Sequence, residues 1–450
     1  MAVLSSNPVL PTSLQSWNKI IKKQELEGCH EKAILSFIHM QELGHFADNF
    51  TYPILLKAAA NLSLDKLGLA LHGQIIKNVF CNHSFVQTAL VNLYSSFGCS
   101  KDAYRVFQQI ATKDIIVWNS MLDAYAAAGQ MEDATTRKFF NQMPSRNIIT
   151  WNTMLAGYLG RNCFDSAIAL FEEMKEKEYN PDYLTITNVL SACASLGLLE
   201  KGEEVHIFAL EKGLTSSAHV TTALIEMYAK CGRILSSLQV FYKSQVMDIY
   251  GWNAMISGLA LHGQASAAFK LFDDMKGKGL RPDDITFIGL LSACSHSGLV
   301  HKGLELFSSM EKKCAVNPKL EHYGCIVDLL GRAGFLCHAF QLIESMPFEP
   351  GKSIVGALLG ACVIYRDTEI GEKVVKLLLK RNGSLTDGEY MMVANLYASC
   401  KNLEEANRWM NMMNASGITK TAGCSIIQVN GEMYRFVAGD KSNLINSNAI

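Results

Sequence analysis

Two nearly identical segments of eleven residues stand 33 residues apart in this chain of 450 residues. The first, IIVWNSMLDAY, runs from Ile115 to Tyr125, and the second, IITWNTMLAGY, begins at Ile148. Four of the five tryptophans are followed by asparagine, and the distances between successive Trp-Asn pairs are 101, 33 and 101 residues. A fixed period of this kind is the signature of a repeat array, and it constrains the fold more than any local propensity.

The pairs and related segments divide the sequence into units of 31 to 36 residues. Each unit predicts two helices, because its apolar residues recur at helical spacing. In the unit that begins at Ile148, Gly160 is predicted to form the turn between the helices and Pro181 to end the second one. The two apolar faces of that unit are Trp151, Met154, Leu155 and Tyr158, and then Ala167, Leu170, Phe171 and Met174.

A helical hairpin of this size cannot bury its apolar face alone, whereas stacked neighbours bury one continuous core. The sequence therefore predicts an all-α fold, a right-handed α-solenoid superhelix of helix-turn-helix repeats. Near the C-terminus, two strand-like segments flank Asn430-Gly431, which predicts a short β-hairpin-like extension. The predicted units begin near Leu14, Asn49, Ser84, Ile115, Ile148, Tyr183, Ala218, Ile249, Asp284 and Leu320.

The composition argues against a protein that is held to nucleic acid or to a membrane mainly by bulk charge. Only 18% of the residues are charged, and the 41 Lys and Arg nearly balance the 42 Asp and Glu. Binding in a local groove is not excluded by this balance. No apolar run approaches the length of a membrane helix. Among the 13 cysteines, Cys193, Cys294 and Cys362 recur at one helical position, which favours buried thiols over disulfides.

The order of the units resembles that of a known family. Standard units carry WN near the start and PD at the end, long units read VLSACASLGLLEKGEEVHIFAL, and short units read ALIEMYAKCG. The tail contains GALLGACVIYRDTEIGEKV and YMMVANLYASCKNLEEANRWMNMM. These motifs resemble the plant pentatricopeptide repeat (PPR) proteins, in particular the PLS subfamily and its E class without a DYW deaminase domain. The resemblance covers nearly the whole chain.

The resemblance implies a division of the chain into four parts. Residues 1–13 form a short N-terminal segment, and residues 14–351 form about ten repeats of standard, long and short types. Residues 352–420 are similar to the helical E-type extension motifs, and residues 421–450 to the truncated start of a β-rich extension. Val355 stands where the family tail usually has Trp, and the fourth unit has two extra residues compared with a short unit.

Catalytic machinery is not evident in the sequence. A zinc deaminase needs a His-x-Glu segment and a Cys-x-x-Cys segment, and the chain contains neither. The segment Gly351-Lys352-Ser353 fails the phosphate-loop spacing, because Met346 stands where the first glycine should be. We therefore expect no enzyme activity, no catalytic residues, no metal site and no cofactor.

Repeats of this family read about one RNA base per unit. The resemblance implies that the reader is the residue after the Trp or its equivalent, and that its partner is the last residue of the unit. An Asn amide both donates and accepts, so it suits a pyrimidine edge, and a short Thr hydroxyl admits a purine. Without the resemblance, the Asp residues are better explained as N-caps of the next helix. The implied pairs are Asn18 with Asp48, Thr88 with Asp114, Asn119 with Asn147, Asn152 with Asp182, Thr222 with Asp248, and Asn253 with Asp283.

By the pairing rules of the family, Asn with Asp implies U, Thr with Asp implies G, and Asn with Asn implies C. The implied RNA sequence, 5′ to 3′ along the chain, is U-x-G-C-U-x-G-U-x-x, and it lies a few nucleotides before an edited cytidine. The fourth letter depends on the unit with the insertion. Apolar contacts between bases are expected from residues such as Val117 and Thr150.

The leading interpretation is a sequence-specific, single-stranded RNA-binding protein that recognises sites for C-to-U editing of organellar transcripts. Its expected partner is a DYW-type cytidine deaminase or an editing adaptor, bound in trans through the C-terminal extension, with no membrane involved. The expected location is the mitochondrion, slightly favoured, or the chloroplast, although residues 1–15 contain no Arg or Lys typical of a transit peptide. The alternatives are an organellar RNA-binding protein for splicing, transcript stability or translation, and a helical protein-protein scaffold.

Overall fold

The structure is a computed structural model, and it describes residues 13–131, 134–244, 247–380, 385–420, 422–429 and 432–438. These residues form 24 α-helices, one short 3-10 helix and one two-stranded antiparallel sheet. The prediction of an all-α repeat fold with a short C-terminal hairpin is confirmed. The chain divides into two compact units, Met1–Ala192 and Cys193–Ile450.

The first unit consists of helices that alternate as the first and second members of successive hairpins. They are α1 (Leu14–Leu26), α2 (His30–Glu42), α3 (Thr51–Asn61), α4 (Asp65–Lys77), α5 (Ser84–Ser96), α6 (Ser100–Gln109), α7 (Ile115–Ala127), α8 (Ala134–Gln142), α9 (Ile148–Gly160), α10 (Phe164–Glu176) and α11 (Tyr183–Leu196), the last of which crosses the boundary.

The second unit continues the same alternation and ends in the sheet. Its elements are α12 (Leu199–Glu211), the 3-10 helix (Leu214–Ser216), α13 (Ala218–Lys230), α14 (Ile234–Lys243), α15 (Ile249–Leu261), α16 (Ala265–Gly277), α17 (Asp284–His296), α18 (Val300–Cys314), α19 (Leu320–Arg332), α20 (Leu336–Ser345), α21 (Lys352–Tyr365), α22 (Thr368–Lys380), α23 (Asp387–Ser399), α24 (Leu403–Ala415), β1 (Cys424–Val429) and β2 (Glu432–Val437).

The first helices of neighbouring hairpins pack against each other. In the first unit α5 contacts α7 and α7 contacts α9, and in the second unit α13, α15, α17, α19, α21 and α23 follow one another in the same way. Within each unit, first helices also pack on the second helix of their own hairpin, as α9 does on α10 and α13 on α14. Equivalent residues of successive first helices therefore lie side by side within each unit.

The repeated apolar residues form the core, as predicted. Trp151, Met154 and Leu155 are fully buried, and the rings of Trp17 and Trp252 are almost so. Trp118 is the exception, since it is only half-buried. Its ring packs against Phe139, with 4.7 Å between the ring centroids, in the hairpin whose second helix, α8, has nine residues.

Helix boundaries follow the predicted units closely. Nine of the ten predicted unit starts coincide with the first residue of a helix, and α3 begins at Thr51 instead of near Asn49. The reason is Asp48, whose carboxylate accepts the N–H groups of both Phe50 and Thr51 and so delays the first turn.

Two turn predictions were wrong in detail. Gly160 is the last residue of α9, and the left-handed residue of that turn is Asn162, with φ of 59°. The helix α10 ends at Glu176, so Pro181 lies in the link that follows it and does not end it. Asparagine tolerates the left-handed region better than most residues, which explains its use here.

The three cysteines at the shared helical position behave as small apolar residues. Cys193, Cys294 and Cys362 are fully buried. Burial raises the pKa of Cys193 and Cys362 to about 12 and that of Cys294 to about 11. The thiols therefore stay protonated in the core.

The strands β1 and β2 pair antiparallel, with Ser425 opposite Phe436 and Val429 opposite Glu432. This register fits the predicted hairpin. The predicted turn residues, Asn430 and Gly431, lie outside the described residues.

Candidate nucleic-acid interface

Four of the six predicted reader pairs are joined by hydrogen bonds. The Nδ2 group of Asn18 donates to the carboxylate of Asp48 at 3.1 and 3.2 Å. The same contact joins Asn152 to Asp182 at 3.0 and 3.2 Å, and Asn253 to Asp283 at 2.9 Å. Asn119 donates to the Oδ1 atom of Asn147 at 3.4 Å. Each pair links the first helix of one hairpin to the residue that precedes the next first helix.

A threonine completes each of these four pairs, and the sequence reasoning missed it. It lies three residues after the Asp or Asn partner, in the first turn of the next helix. In one example, the hydroxyl of Thr185 donates to the Oδ1 atom of Asn152 at 2.7 Å. The signal was the spacing of a capping box, a cap residue followed three positions later by a polar side chain. The four threonines are Thr51, Thr150, Thr185 and Thr286, and all are fully buried.

The partner residues of the four Asn readers also accept backbone N–H groups at the start of the next helix, so the two interpretations of the Asp residues are compatible. Asp182 accepts the backbone N–H of Thr185 at 2.9 Å with the same Oδ1 atom that Asn152 contacts. Asp283 accepts the N–H of Thr286 at 2.9 Å, and the Thr286 hydroxyl accepts the N–H of Asp283 in return. The cap holds the carboxylate in place, and a fixed carboxylate in turn positions the Asn amide.

Burial alone would raise the pKa of Asp48, but the hydrogen bonds that it accepts outweigh this effect. The hydroxyl and N–H of Thr51, the N–H of Phe50 and the amide of Asn18 all lie within hydrogen-bonding distance of this carboxylate, and together they hold its pKa below the ordinary value. The carboxyl group is therefore ionised near neutral pH and acts only as an acceptor.

The two threonine readers are not hydrogen-bonded to their predicted partners within the described residues. The hydroxyl of Thr88 donates instead to the carbonyl oxygen of Ser84 in its own helix at 2.9 Å. Asp114 caps the N–H of Val117 at 2.9 Å, and Asp248 caps the N–H of Gly251 at 3.0 Å. A hydroxyl is shorter than an amide, so a Thr reader leaves a gap where an Asn reader makes contact.

The two residues predicted to stack on bases are buried. Val117 and Thr150 are buried in the core, so neither can contact a base. The residues just before them, Ile116 and Ile149, are 61% and 58% exposed. The equivalent residues Leu184, Tyr250 and Ile285 are also exposed.

Two clefts bring the readers and these exposed apolar residues together. In the first unit, a cleft of about 650 Å³ is lined by Asn152 and Asp182, with Ile149 and Leu184 beside them. Its lining also includes Arg161, which is exposed. A polar floor between apolar walls suits a planar heterocycle that has hydrogen-bonding groups on its edge.

The second unit contains a cleft of the same kind, of about 300 Å³. It is lined by Thr222 and Asn253, by the exposed side chains of Tyr250 and Ile285, and by Lys230. The reader and the apolar wall recur at equivalent helix positions in the two clefts, whereas Arg161 and Lys230 come from different positions of the repeat.

An acidic side chain lies at the first cleft as well. Burial raises the pKa of Asp123 above its ordinary value, against the opposing effect of a hydrogen bond from Thr153. Within the part of the chain that the structure describes, no cluster of three or more His, Cys, Asp or Glu side chains has a metal-binding arrangement. No described helix is both long enough and apolar enough to span a bilayer.

Profiles of known families match three parts of the chain. The PPR repeat family matches residues 146–195 and 247–296, and the PPR repeat matches residues 116–148 and 285–314. The E motif matches residues 365–428.

Full-length comparisons agree with these profiles. The chain is 38% identical over 413 residues to the Arabidopsis thaliana pentatricopeptide repeat-containing protein At5g56310, covering 92% of this chain and 78% of that protein. It is 35% identical over 442 residues to a second Arabidopsis thaliana protein, the chloroplastic/mitochondrial pentatricopeptide repeat-containing protein At1g59720, covering 95% of this chain and 64% of that protein. The chain therefore spans less than two thirds of this second relative.

Among solved structures, the crystal structure of the maize pentatricopeptide repeat protein PPR10 has the same fold, with a TM-score of 0.56 at 18% identity, over 92% of this chain and 65% of that one. The maize protein is also solved in complex with an 18-nucleotide psaJ RNA element, where the TM-score is 0.44 at 18% identity, over 92% of this chain and 76% of that one.

Proposed function

The chain belongs to the pentatricopeptide repeat family, and from that premise we propose that it binds single-stranded organellar RNA by sequence and selects sites for C-to-U editing. The observation that carries the proposal is the network of reader, cap and threonine, which recurs at Asn18, Asn119, Asn152 and Asn253. A structural scaffold does not require the same amide in the same orientation at four equivalent positions.

Each Asn reader retains hydrogen-bonding capacity for a base. An amide has two N–H donors and two acceptor lone pairs. Asn152 uses one N–H on Asp182 and accepts one hydrogen bond from Thr185. One donor and one acceptor remain free, and they lie at a cleft with apolar walls. This arrangement matches the edge of a pyrimidine, which presents donors and acceptors side by side.

The letters proposed for the readers follow from the family rules and from the size of each side chain. The Asn readers with an Asp partner take U, and Asn119 with Asn147 takes C. Thr88 and Thr222 take G, since the shorter side chain leaves room for the larger base. The proposed target is U-x-G-C-U-x-G-U-x-x, 5′ to 3′.

The editing role is supported by the E motif match, which is a feature beyond RNA binding alone. We propose that the C-terminal extension binds a DYW-type deaminase, or an adaptor, in trans. The proposed location is a mitochondrion or chloroplast, in keeping with the name of the relative that is called chloroplastic/mitochondrial.

The RNA-reading part is tested by selecting RNAs from a random library with the purified chain. The expected consensus contains U-x-G-C-U-x-G-U. A variant with Asn152→Ala and Asn253→Ala is expected to lose the fifth and eighth letters and to keep the others. Selection of no consensus by a folded wild-type chain would contradict the proposal and favour a protein scaffold.

A further inference from the structure

We propose that Thr51, Thr150, Thr185 and Thr286 are positioning residues that fix the asparagine readers and thereby sharpen their choice of base. Each threonine belongs to the hairpin after the reader that it serves. The inference rests on the proposed reading of RNA and adds a third side chain to the two that the family rules consider.

The contact between threonine and reader is short and has the same form four times. The distances from Thr Oγ1 to Asn Oδ1 are 2.7 Å to Asn18, 2.8 Å to Asn119, 2.7 Å to Asn152 and 2.6 Å to Asn253. All four hydroxyls are excluded from solvent, so water cannot replace this bond without rearrangement.

The single hydroxyl proton is best placed on the reader. The hydroxyl oxygen of Thr185 accepts the backbone N–H of Asp182 at 3.3 Å. The Oδ1 atom of Asp182 lies 2.9 Å from that hydroxyl, but it already accepts from Thr185 N–H and Asn152 Nδ2. The Oδ1 atom of Asn152 has no other donor among the described residues. Donation to Asn152 therefore satisfies every group in the network.

The threonine is present where the reader is Asn and absent where it is Thr. The equivalent positions after Thr88 and Thr222 are Val117 and Gly251. Asp114 and Asp248 still cap the helix starts at these positions, so capping does not require a threonine hydroxyl. The hydroxyl thus accompanies the amide reader and not the helix start.

Fixing both ends of the amide has a consequence for specificity. An amide turned by 180° exchanges the donor and the acceptor that it presents to a base, so an amide that turns freely fits more than one base edge. The partner holds Nδ2, and the threonine holds Oδ1. Without the hydroxyl, the amide keeps one anchor and rotates about it, so matched and mismatched bases become more nearly equal.

The test compares Thr185→Val with Thr185→Ser in the full-length chain. Binding is measured to four RNAs that carry U-x-G-C-U-x-G-U with each base in turn at the fifth position. We expect the preference of wild type for U over C there to fall about fivefold in Thr185→Val, since one net hydrogen bond is lost. Thr185→Ser keeps the hydroxyl and is expected to restore the preference.

The reciprocal change, Val117→Thr, is the matched control, because it adds a hydroxyl at the equivalent position where the reader is Thr88. It is expected to leave the third letter unchanged. Equal weakening of all four RNAs by Thr185→Val, with the U over C ratio intact, would show a merely structural role and overturn the inference. A wild-type chain with no preference at the fifth position would instead remove the proposed reading of RNA, and the inference with it.

Discussion

Asn152 uses about half of its hydrogen-bonding capacity inside the protein and keeps the other half at the cleft of the first unit. Its amide nitrogen donates a hydrogen bond to Asp182, and its amide oxygen accepts one from the buried Thr185. Ordering a side chain before binding lowers the entropy cost of recognition. The reader, its partner and the threonine that fixes it are therefore expected to determine the base together.

Asn253→Thr tests this at one letter. The shorter side chain cannot reach Asp283 as the amide does at 2.9 Å, and the enlarged cleft should admit a purine. The preferred base at the eighth position is expected to change from U to G, with binding of the U-containing RNA weakened about tenfold. Fluorescence anisotropy with RNAs that differ only at that position measures the change. A retained preference for U would contradict the assignment of Asn253 as a reader.

The contacts within the four Asn pairs could be predicted because the Trp-Asn pair marks its units and the family resemblance supplies the pairing. The threonines were missed because each lies in the next unit, at a position that capping alone explains. Val117 and Thr150, the predicted stacking residues, are buried, whereas the residues just before them are exposed, since one residue turns a helix by about 100°. The sequence alone did not show which of the two neighbouring side chains, Ile116 or Val117, is exposed.

At the scale of the helices, one contact recurs between each long unit and the hairpin that follows it. A glycine in the second helix leaves room for a side chain of the next first helix. A Cβ atom on Gly68 would come within 2.9 Å of Phe97, and one on Gly303 would overlap Leu329. Gly371 has the same relation to Leu396, so the tail helices α22 and α23 pack as the repeats do.

Gly303→Ala is expected to destabilise the chain by about 1–3 kcal/mol, the usual cost of overpacking. The added methyl group would overlap the fully buried side chain of Leu329 and lie 3.3 Å from the Cβ atom of the buried Cys294, so Leu329 would have to shift within the core. The control is Gly360→Ala, because no atom lies within 4 Å of that new Cβ. In Gly360→Ala, the higher helix propensity of alanine should stabilise the chain by up to about 1 kcal/mol. Urea unfolding of both variants measures the difference, and equal effects would contradict this packing.

A second recurring contact predicts a dependence of stability on pH. His72 Nδ1 lies 2.7 Å from the hydroxyl of Tyr94, and His206 Nδ1 lies 2.9 Å from that of Tyr228. Burial lowers the pKa of both imidazoles below the ordinary 6.5. The charge of Asp102 near His72 and that of Glu203 near His206 raise the pKa by less than burial lowers it. The unfolded chain therefore binds protons first as the pH falls.

Stability is accordingly complete above the ordinary histidine pKa and is lost as the pH falls toward the lower folded-state values. We expect the melting temperature to decrease by a few degrees between about pH 7.5 and 5.5. A variant with His72→Gln and His206→Gln should decrease less over this range. The control His338→Gln changes an exposed residue and should behave as wild type. A double variant with the wild-type pH profile would contradict the assignment.

At the scale of the molecule, the tail is part of the core of the second unit. One cluster of buried apolar residues runs from Leu291 in α17 through Val355 in α21 to Met413 in α24. Removing residues 352–450 would expose this cluster, so truncation cannot separate the role of the tail from its contribution to folding. Substitution of exposed residues can do so.

Ile364 and Leu403 are apolar tail residues that are 73% and 64% exposed. The variant with Ile364→Asp and Leu403→Asp is expected to lose co-purification with a deaminase or adaptor from organelle extract and to keep wild-type RNA affinity. Leu235→Asp, at a residue 72% exposed in α14, is the matched control and should keep both. Loss of RNA affinity in the tail variant, or retention of the partner, would count against a docking role for this surface.

The most direct test of the central claim is sequencing of organellar RNA from a plant line that lacks the gene. The account predicts that conversion of cytidine to uridine stops at one or a few sites, each preceded by a match to U-x-G-C-U-x-G-U, and that a wild-type copy restores it. A copy with Asn152→Ala and Asn253→Ala should not restore it. Normal conversion at every organellar site in the line that lacks the gene would contradict the editing role.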